Sequence, residues 1–109
     1  MVELIWSPTA VADIENIAEY IGRDSFKAAS NQVQTFVERA KILESYPLIG
    51  SIVPELKNSD YRQLLCGRYR IIYKTESEKL IYILTVHHQS RLLKNNPVFK
   101  KQLSKKRNK

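Results

Sequence analysis

The sequence predicts an α+β fold in which a two-helix antiparallel hairpin packs on one face of a small antiparallel sheet, in the order β-α-α-β-β-β. Three observations carry this. Apolar residues recur at helical spacing twice within residues 8–46, a Tyr/Ile/Leu/Val-rich stretch from residue 61 to 86 is cut by two short turns, and a brief apolar run opens the chain.

Val2–Trp6 reads as the opening strand. Ser7-Pro8 follows, a hydroxyl N-cap with proline at the first helical position, where its missing N–H costs nothing. Ala10, Ile14, Ile17 and Ile21 then mark one face of a helix, with Asp13, Glu15 and Glu19 on its other side and Gly22 as a C-cap. A second helix opens near Asp24-Ser25; its stripe is Ala29, Val33, Phe36, Ala40 and Leu43, and Pro47 closes the region. The short link between the helices predicts an antiparallel hairpin. Leu48–Leu56, with Gly50 and Pro54, reads as an extended connection in which Glu55 caps the chain beside Pro54. Tyr61–Cys66, Tyr69–Thr75 and Lys79–Val86 read as strands, joined by turns at Gly67-Arg68 and Glu76-Ser77-Glu78.

The chain has 109 residues, 43% of them apolar, enough for one modest core. Residues 1–93 are expected to form a single domain and 94–109 a basic tail, either a short helix or mobile. No apolar run approaches the ~18 residues that span a bilayer, and an acid stands where a secretory leader carries basic residues. Together with the single cysteine, Cys66, read as a small packed hydrophobe, this predicts a cytoplasmic protein.

The net charge of +7 resides in residues 94–109, which hold seven basic residues and no acid; the other residues balance. Within them residues 1–56 carry −4 and residues 57–93 carry +4. A basic second half and tail point to a polyanion or an acidic protein segment as partner.

Strand alternation sorts the candidate side chains. Tyr69, Ile71 and Tyr73 belong under the helices, which places Arg70 and Lys74 on an open face. Arg62 shares a face with Leu64, opposite Tyr61, Gln63 and Leu65. His87 and His88 must point to opposite faces. Arg62, Arg70 and one histidine on a concave basic sheet would bind phosphate and hold a titratable group near neutral pH. Such arginines are also commonly solvated or paired with local acids. No paired Cys/His spacing suggests a metal, and no glycine-rich loop suggests a bound nucleotide.

Trp6-Ser7-Pro8, Ala12-Asp13-Ile14, Tyr20-Ile21, Pro47, Gly50, Val53-Pro54-Glu55, Tyr61-Arg62-Gln63-Leu64, Gly67–Tyr73 and Val86–Arg91 resemble, in this order and spacing, the RelE/ParE toxins of type II toxin–antitoxin systems over about residues 3–93. The resemblance implies a cognate acidic antitoxin, a toxin–antitoxin hetero-oligomer and no cofactor or metal. It implies one of two modes of growth arrest. The first is ribosome-dependent, metal-independent mRNA cleavage by the neighbouring 2′-hydroxyl. In that reading Arg70 and Arg62 hold phosphate, His88 or His87 moves protons, and Lys57, Arg68, Lys74, Arg91, Lys94 and the tail grip nucleic acid. The alternative is ParE-like, non-enzymatic inhibition of DNA gyrase; the ending Val86-His87-His88-Gln89 and the well-formed helical hairpin lean that way. A third possibility is a degenerate toxin that only binds its antitoxin.

Overall fold

The computed structural model describes residues 1–104. Strand β1 (Glu3–Trp6) leads into helix α1 (Pro8–Gly22) and helix α2 (Phe26–Lys41); β2 (Ser51–Ile52), β3 (Tyr61–Cys66), β4 (Tyr69–Ser77) and β5 (Leu80–His88) follow, then a short helix α3 (Lys100–Ser104). The helix starts follow the sequence signals. The Ser7 hydroxyl accepts from the Ala10 N–H and the Ser25 hydroxyl from the Ala28 N–H, so both helices open on a side-chain cap. Helix α1 runs through Gly22, and Arg23 rather than Gly22 forms its C-cap.

The sheet has five strands in the order β1-β5-β4-β3-β2. β5, β4, β3 and β2 pair antiparallel, while β1 lies parallel to β5 at the edge. The single parallel pair arises because the helical hairpin carries the chain away from β1, so no tight turn fixes its direction. The connection read as merely extended contributes β2, and the β4–β5 turn shrinks to Glu78-Lys79 as both strands lengthen. Gly67, at φ 59°, takes the left-handed position of the two-residue β3–β4 turn, where a side chain would be strained.

The helices cover one sheet face as expected. Ala10, Phe36, Ala40 and Leu43 pack on Leu64, Ile71, Tyr73, Ile81 and Ile83, all buried. The opposite face is not open, contrary to the alternation argument. Residues 93–103 fold back across it, and Leu93 and Phe99 bury Val53 and Ile72 in a second, smaller cluster flanked by Tyr61, Leu84 and Leu103. A sheet whose two faces both carry aliphatic residues needs cover on both sides, and Ile72 alternates with Ile71 and Tyr73. Residues 105–109, with Lys105, Lys106, Arg107 and Lys109 of the basic tail, lie outside the described residues.

Gly50 is fixed by crowding. A Cβ there would sit 2.6 Å from the Gln63 carbonyl oxygen and 2.7 Å from the Tyr73 hydroxyl. The Gly50 N–H donates to that hydroxyl, which donates to the Pro47 carbonyl, so Tyr73 pins the loop before β2. Burial pushes the Tyr73 phenol up from its ordinary value and keeps it a donor.

Candidate functional site

Cross-strand register decides which candidate residues meet. Arg62 stands opposite Tyr73 and Leu65 opposite Arg70, so Arg62 lies on the helix-covered face and Arg70 on the other. The expected cluster of Arg62 and Arg70 therefore does not form. Leu64, which shares the Arg62 face, is drawn under the helices by its apolar side chain and takes Arg62 with it. Arg62 donates from Nη1 to the Leu48 and Gly50 carbonyls at 3.3 and 2.8 Å, tying down the same loop as Tyr73, and its Nε is buried without a partner.

Arg70, 9% exposed, has its guanidinium fully engaged on one side. Nη1 and Nη2 each reach a Glu55 carboxylate oxygen at 3.0 Å in a forked pair, and Nη1 also donates to Gln63 Oε1 at 3.0 Å. That hydrogen bonding holds the Glu55 carboxyl below the usual carboxylate value; partial burial opposes the shift, and the positive charge of Arg70 adds to it. Glu55 is thus the partner of Arg70, beyond its expected part as a local cap.

The histidines separate as alternation requires. His87 pairs with Arg70 and shares its face, whereas His88 pairs with Tyr69 on the helix side. His87 is buried and held at both ring nitrogens. The Val98 N–H donates to Asn96 Oδ1, which turns the Asn96 amide nitrogen toward Thr85 Oγ1 and His87 Nδ1 at 3.1 and 3.0 Å. Nδ1 therefore accepts, and Nε2 donates to the Arg91 carbonyl at 2.9 Å. The chain of bonds continues: the Thr85 hydroxyl donates to the Asp13 carboxylate, which also receives the Val86 N–H. Asp13 thereby serves the edge of β5 where β1 has ended. His88 accepts at Nδ1 from the Ser90 N–H and lies near the Ser90 hydroxyl, and its ring meets the Tyr69 ring edge-on at 5.1 Å.

The remaining basic candidates are scattered. Lys57 is exposed just past the 54–56 turn at φ 52°, Arg68 is exposed in the β3–β4 turn, and Lys74 sits over the Tyr61 ring and 3.5 Å from Glu76. Arg91 and Lys94 are exposed on the loop after β5. That loop and α1 bound a groove of about 580 Å³ whose wall includes Asn16, Ile17, Tyr69, His88, Arg91 and Asn95. Sequence reasoning missed Asn16, Asn95 and Asn96, since isolated amides carry no spacing signal. Cys66 is buried and its thiol is pushed up by that burial. Among the described residues no helix is long and apolar enough to cross a membrane.

Comparison with known proteins identifies this architecture. The model of the ParE toxin of the type II toxin–antitoxin system parDE matches residues 4–93. The chain belongs to the ParE toxin family. The RelE2 toxin of Caulobacter vibrioides is 28% identical over 92 residues, covering 84% of this chain and all of that one. A chain of the chromosomal ParDE toxin–antitoxin system from P. aeruginosa superposes with a TM-score of 0.68 at 25% identity, over 81% of this chain and 96% of that one. The YoeB/ParE toxin from Agrobacterium tumefaciens shares the fold, with a TM-score of 0.55 at 14% identity over 80% and 98% of the two chains. Membership in this family makes the chain a type II toxin with a cognate antitoxin as partner. The segment that covers the second sheet face lies, past Leu93, beyond the matched family region.

Proposed function

We propose that this toxin arrests growth without cutting RNA, by binding DNA gyrase in the ParE-like manner. The observation that carries the reading is the forked Arg70–Glu55 pair on the face opposite Arg62. Cleavage through a 2′-hydroxyl needs a cation on the phosphate and proton-transfer groups on one surface, within hydrogen-bond reach of one substrate. Here Arg70 is committed to a carboxylate, Arg62 to main-chain carbonyls on the other side of the sheet, and both His87 nitrogens to Asn96 and Arg91. The family match supports the same reading, because it is to the ParE branch of the resemblance. This reading puts the gyrase mode, second in the sequence analysis, first.

The test uses the protein freed of its antitoxin. Purified gyrase should lose supercoiling in proportion to added toxin, and a defined mRNA in translating ribosomes should show no new 5′ ends by primer extension. New ends within the codon in the ribosomal A site, with supercoiling untouched, would overturn the proposal.

A further inference from the structure

We infer that the segment covering the second sheet face is a duplex-DNA contact, in which Lys94, Lys100 and Lys101 hold backbone phosphates. The choice of DNA over RNA rests on the gyrase reading above. The segment turns its apolar side chains inward and its charges outward. Leu93, Phe99 and Leu103 join the cluster of Val53, Ile72 and Tyr61, while Lys94, Lys100, Lys101 and Gln102 are exposed. Asn96 pins the backbone between them. Its amide nitrogen reaches Thr85 and His87, and its carbonyl receives the Phe99 and Lys100 N–H groups. The lysines therefore stand on a backbone fixed to the sheet, and little ordering precedes their contact with a ligand. Among the described residues none of the three is paired with a carboxylate. Residues 94–109 contain no acid, and by sequence Lys105, Lys106, Arg107 and Lys109 add charge of the same sign.

The chemistry of this surface selects a phosphate backbone over an acidic protein. Exposed ion pairs contribute little alone, so a protein partner needs an apolar anchor beside them. No large apolar side chain of residues 93–103 is exposed, and Leu92, which is, stands before the segment. A phosphate backbone asks only for cations and polar side chains. The family region, to which an antitoxin partner is common, ends at residue 93, so the segment is surplus to that pairing. Single strands are held by aromatic rings on which bases stack. The aromatic rings here are otherwise engaged: Phe99 is buried, and Tyr61 meets Phe99 edge-on with Lys74 over its face. A duplex offers the denser line of charge, about one per 1.7 Å of axis. The field of the whole molecule orients the approach. Residues 1–56, with both helices, carry −4, so a polyanion is repelled from the helix side and drawn to the face across the sheet. An enzyme that works on DNA brings duplex within reach, where a weak phosphate contact adds to the protein contact through local concentration.

The experiment measures binding of the antitoxin-free, full-length protein to a labelled DNA duplex by fluorescence anisotropy, with gyrase absent. The wild type is compared with a triple variant, Lys94→Gln, Lys100→Gln and Lys101→Gln. A control carries Arg23→Gln, Lys27→Gln and Lys41→Gln, the same charge change at exposed positions of the helical hairpin. Each phosphate contact contributes about 0.9 to the slope of log affinity against log salt, so the wild-type slope should be about −3 or steeper. The triple variant should bind at least ~10-fold more weakly at low salt, with a slope shallower by about 2–3. The control should keep the wild-type slope, and thermal melting and antitoxin affinity at physiological salt should stay at wild-type values in both. A wild type that does not bind duplex, or a triple variant that binds it as the wild type does, would overturn the inference. A triple variant that loses the antitoxin and keeps the duplex would also overturn it, making the antitoxin the occupant. Tighter binding to a single-stranded RNA of equal length would make the occupant RNA and overturn it likewise. Gyrase inhibition is scored separately. A wild type that leaves gyrase active yet binds duplex through these lysines would sustain the inference and refute gyrase as the target; inhibition without duplex binding would do the reverse.

Discussion

Arg70 shows how one side chain changes meaning with its partner. Strand alternation correctly separated it from Tyr69, Ile71 and Tyr73, but the residue that meets it is Gln63 from β3, and Glu55 arrives from a loop. The Arg62 position was legible from Leu64, whose apolar side chain had to go to the helices; the basic pattern drew attention away from it. Glu55 was not readable as the partner, because loop–strand contacts have no period. The pair has a pH signature. With its folded pKa lowered, Glu55 stabilises the fold above its unfolded value, and that stability is lost as pH falls through the depressed value. Glu55→Gln should therefore cost about 1 kcal/mol near neutrality, limited by the exposure of the carboxylate, and progressively less in acid. Urea unfolding of both proteins across the acidic range checks this; a gap that widened as pH fell would contradict it. At Gly50, Gly50→Ala should lose about 1–3 kcal/mol, since the Cβ meets the Gln63 carbonyl and the Tyr73 hydroxyl. A variant as stable as wild type in urea would show that the loop can yield. For His87, nitrogen NMR at alkaline pH should find the proton on Nε2 and none on Nδ1, as Asn96 dictates; the opposite tautomer would break the chain of bonds described.

Elements with strong periodicity were read closely, and those defined by what they cover were not. Both helix starts, the full extent of β3 and the β3–β4 turn matched the spacing, because caps, helical stripes and a turn glycine are local signals. Residues 94–104 were read through their charge. Their apolar residues are few, yet Phe99 and Leu103 stand one helical turn apart and meet the second sheet face. The parallel β1–β5 pair was equally hidden, since strand direction across a helical hairpin has no local mark. The covering segment makes a prediction at this scale. Phe99→Ala should cost about 3 kcal/mol or more, because Phe99 is almost completely buried against Val53 and Ile72. Hydrogen exchange should show the Phe99 and Leu103 amides, bonded to the Asn96 and Phe99 carbonyls, protected in wild type and released in the variant. Rapid exchange of both in wild type would mean that the segment does not hold the face.

At the scale of the molecule, the sheet is a partition between two clusters, and its functional groups are sorted by it. The helix side holds Arg62 and His88, the other holds Arg70, Glu55 and His87, and the groove at the end of β5 is lined from both. This division is what a sequence cannot display, because it depends on the register of three strands at once, and a slip of one residue would exchange the faces. Net charge, by contrast, was readable directly. At +7, the protein should bind an acidic antitoxin less tightly as salt rises, chiefly through slower association. Titrations from low to physiological ionic strength check this, and an affinity independent of salt would show that apolar contacts dominate the complex.

The central claim is that the Arg70 end of the sheet is structural and that toxicity does not use its guanidinium. It is tested most directly by growth arrest with the double variant Arg70→Gln, Glu55→Gln, which removes both charges together and leaves neither one buried alone. Thermal melting of the purified variant confirms its folding before the culture is read. Arrest as complete as with the wild-type protein is the predicted result. A folded double variant that permits normal growth would contradict the account and return Arg70 to the role of phosphate ligand.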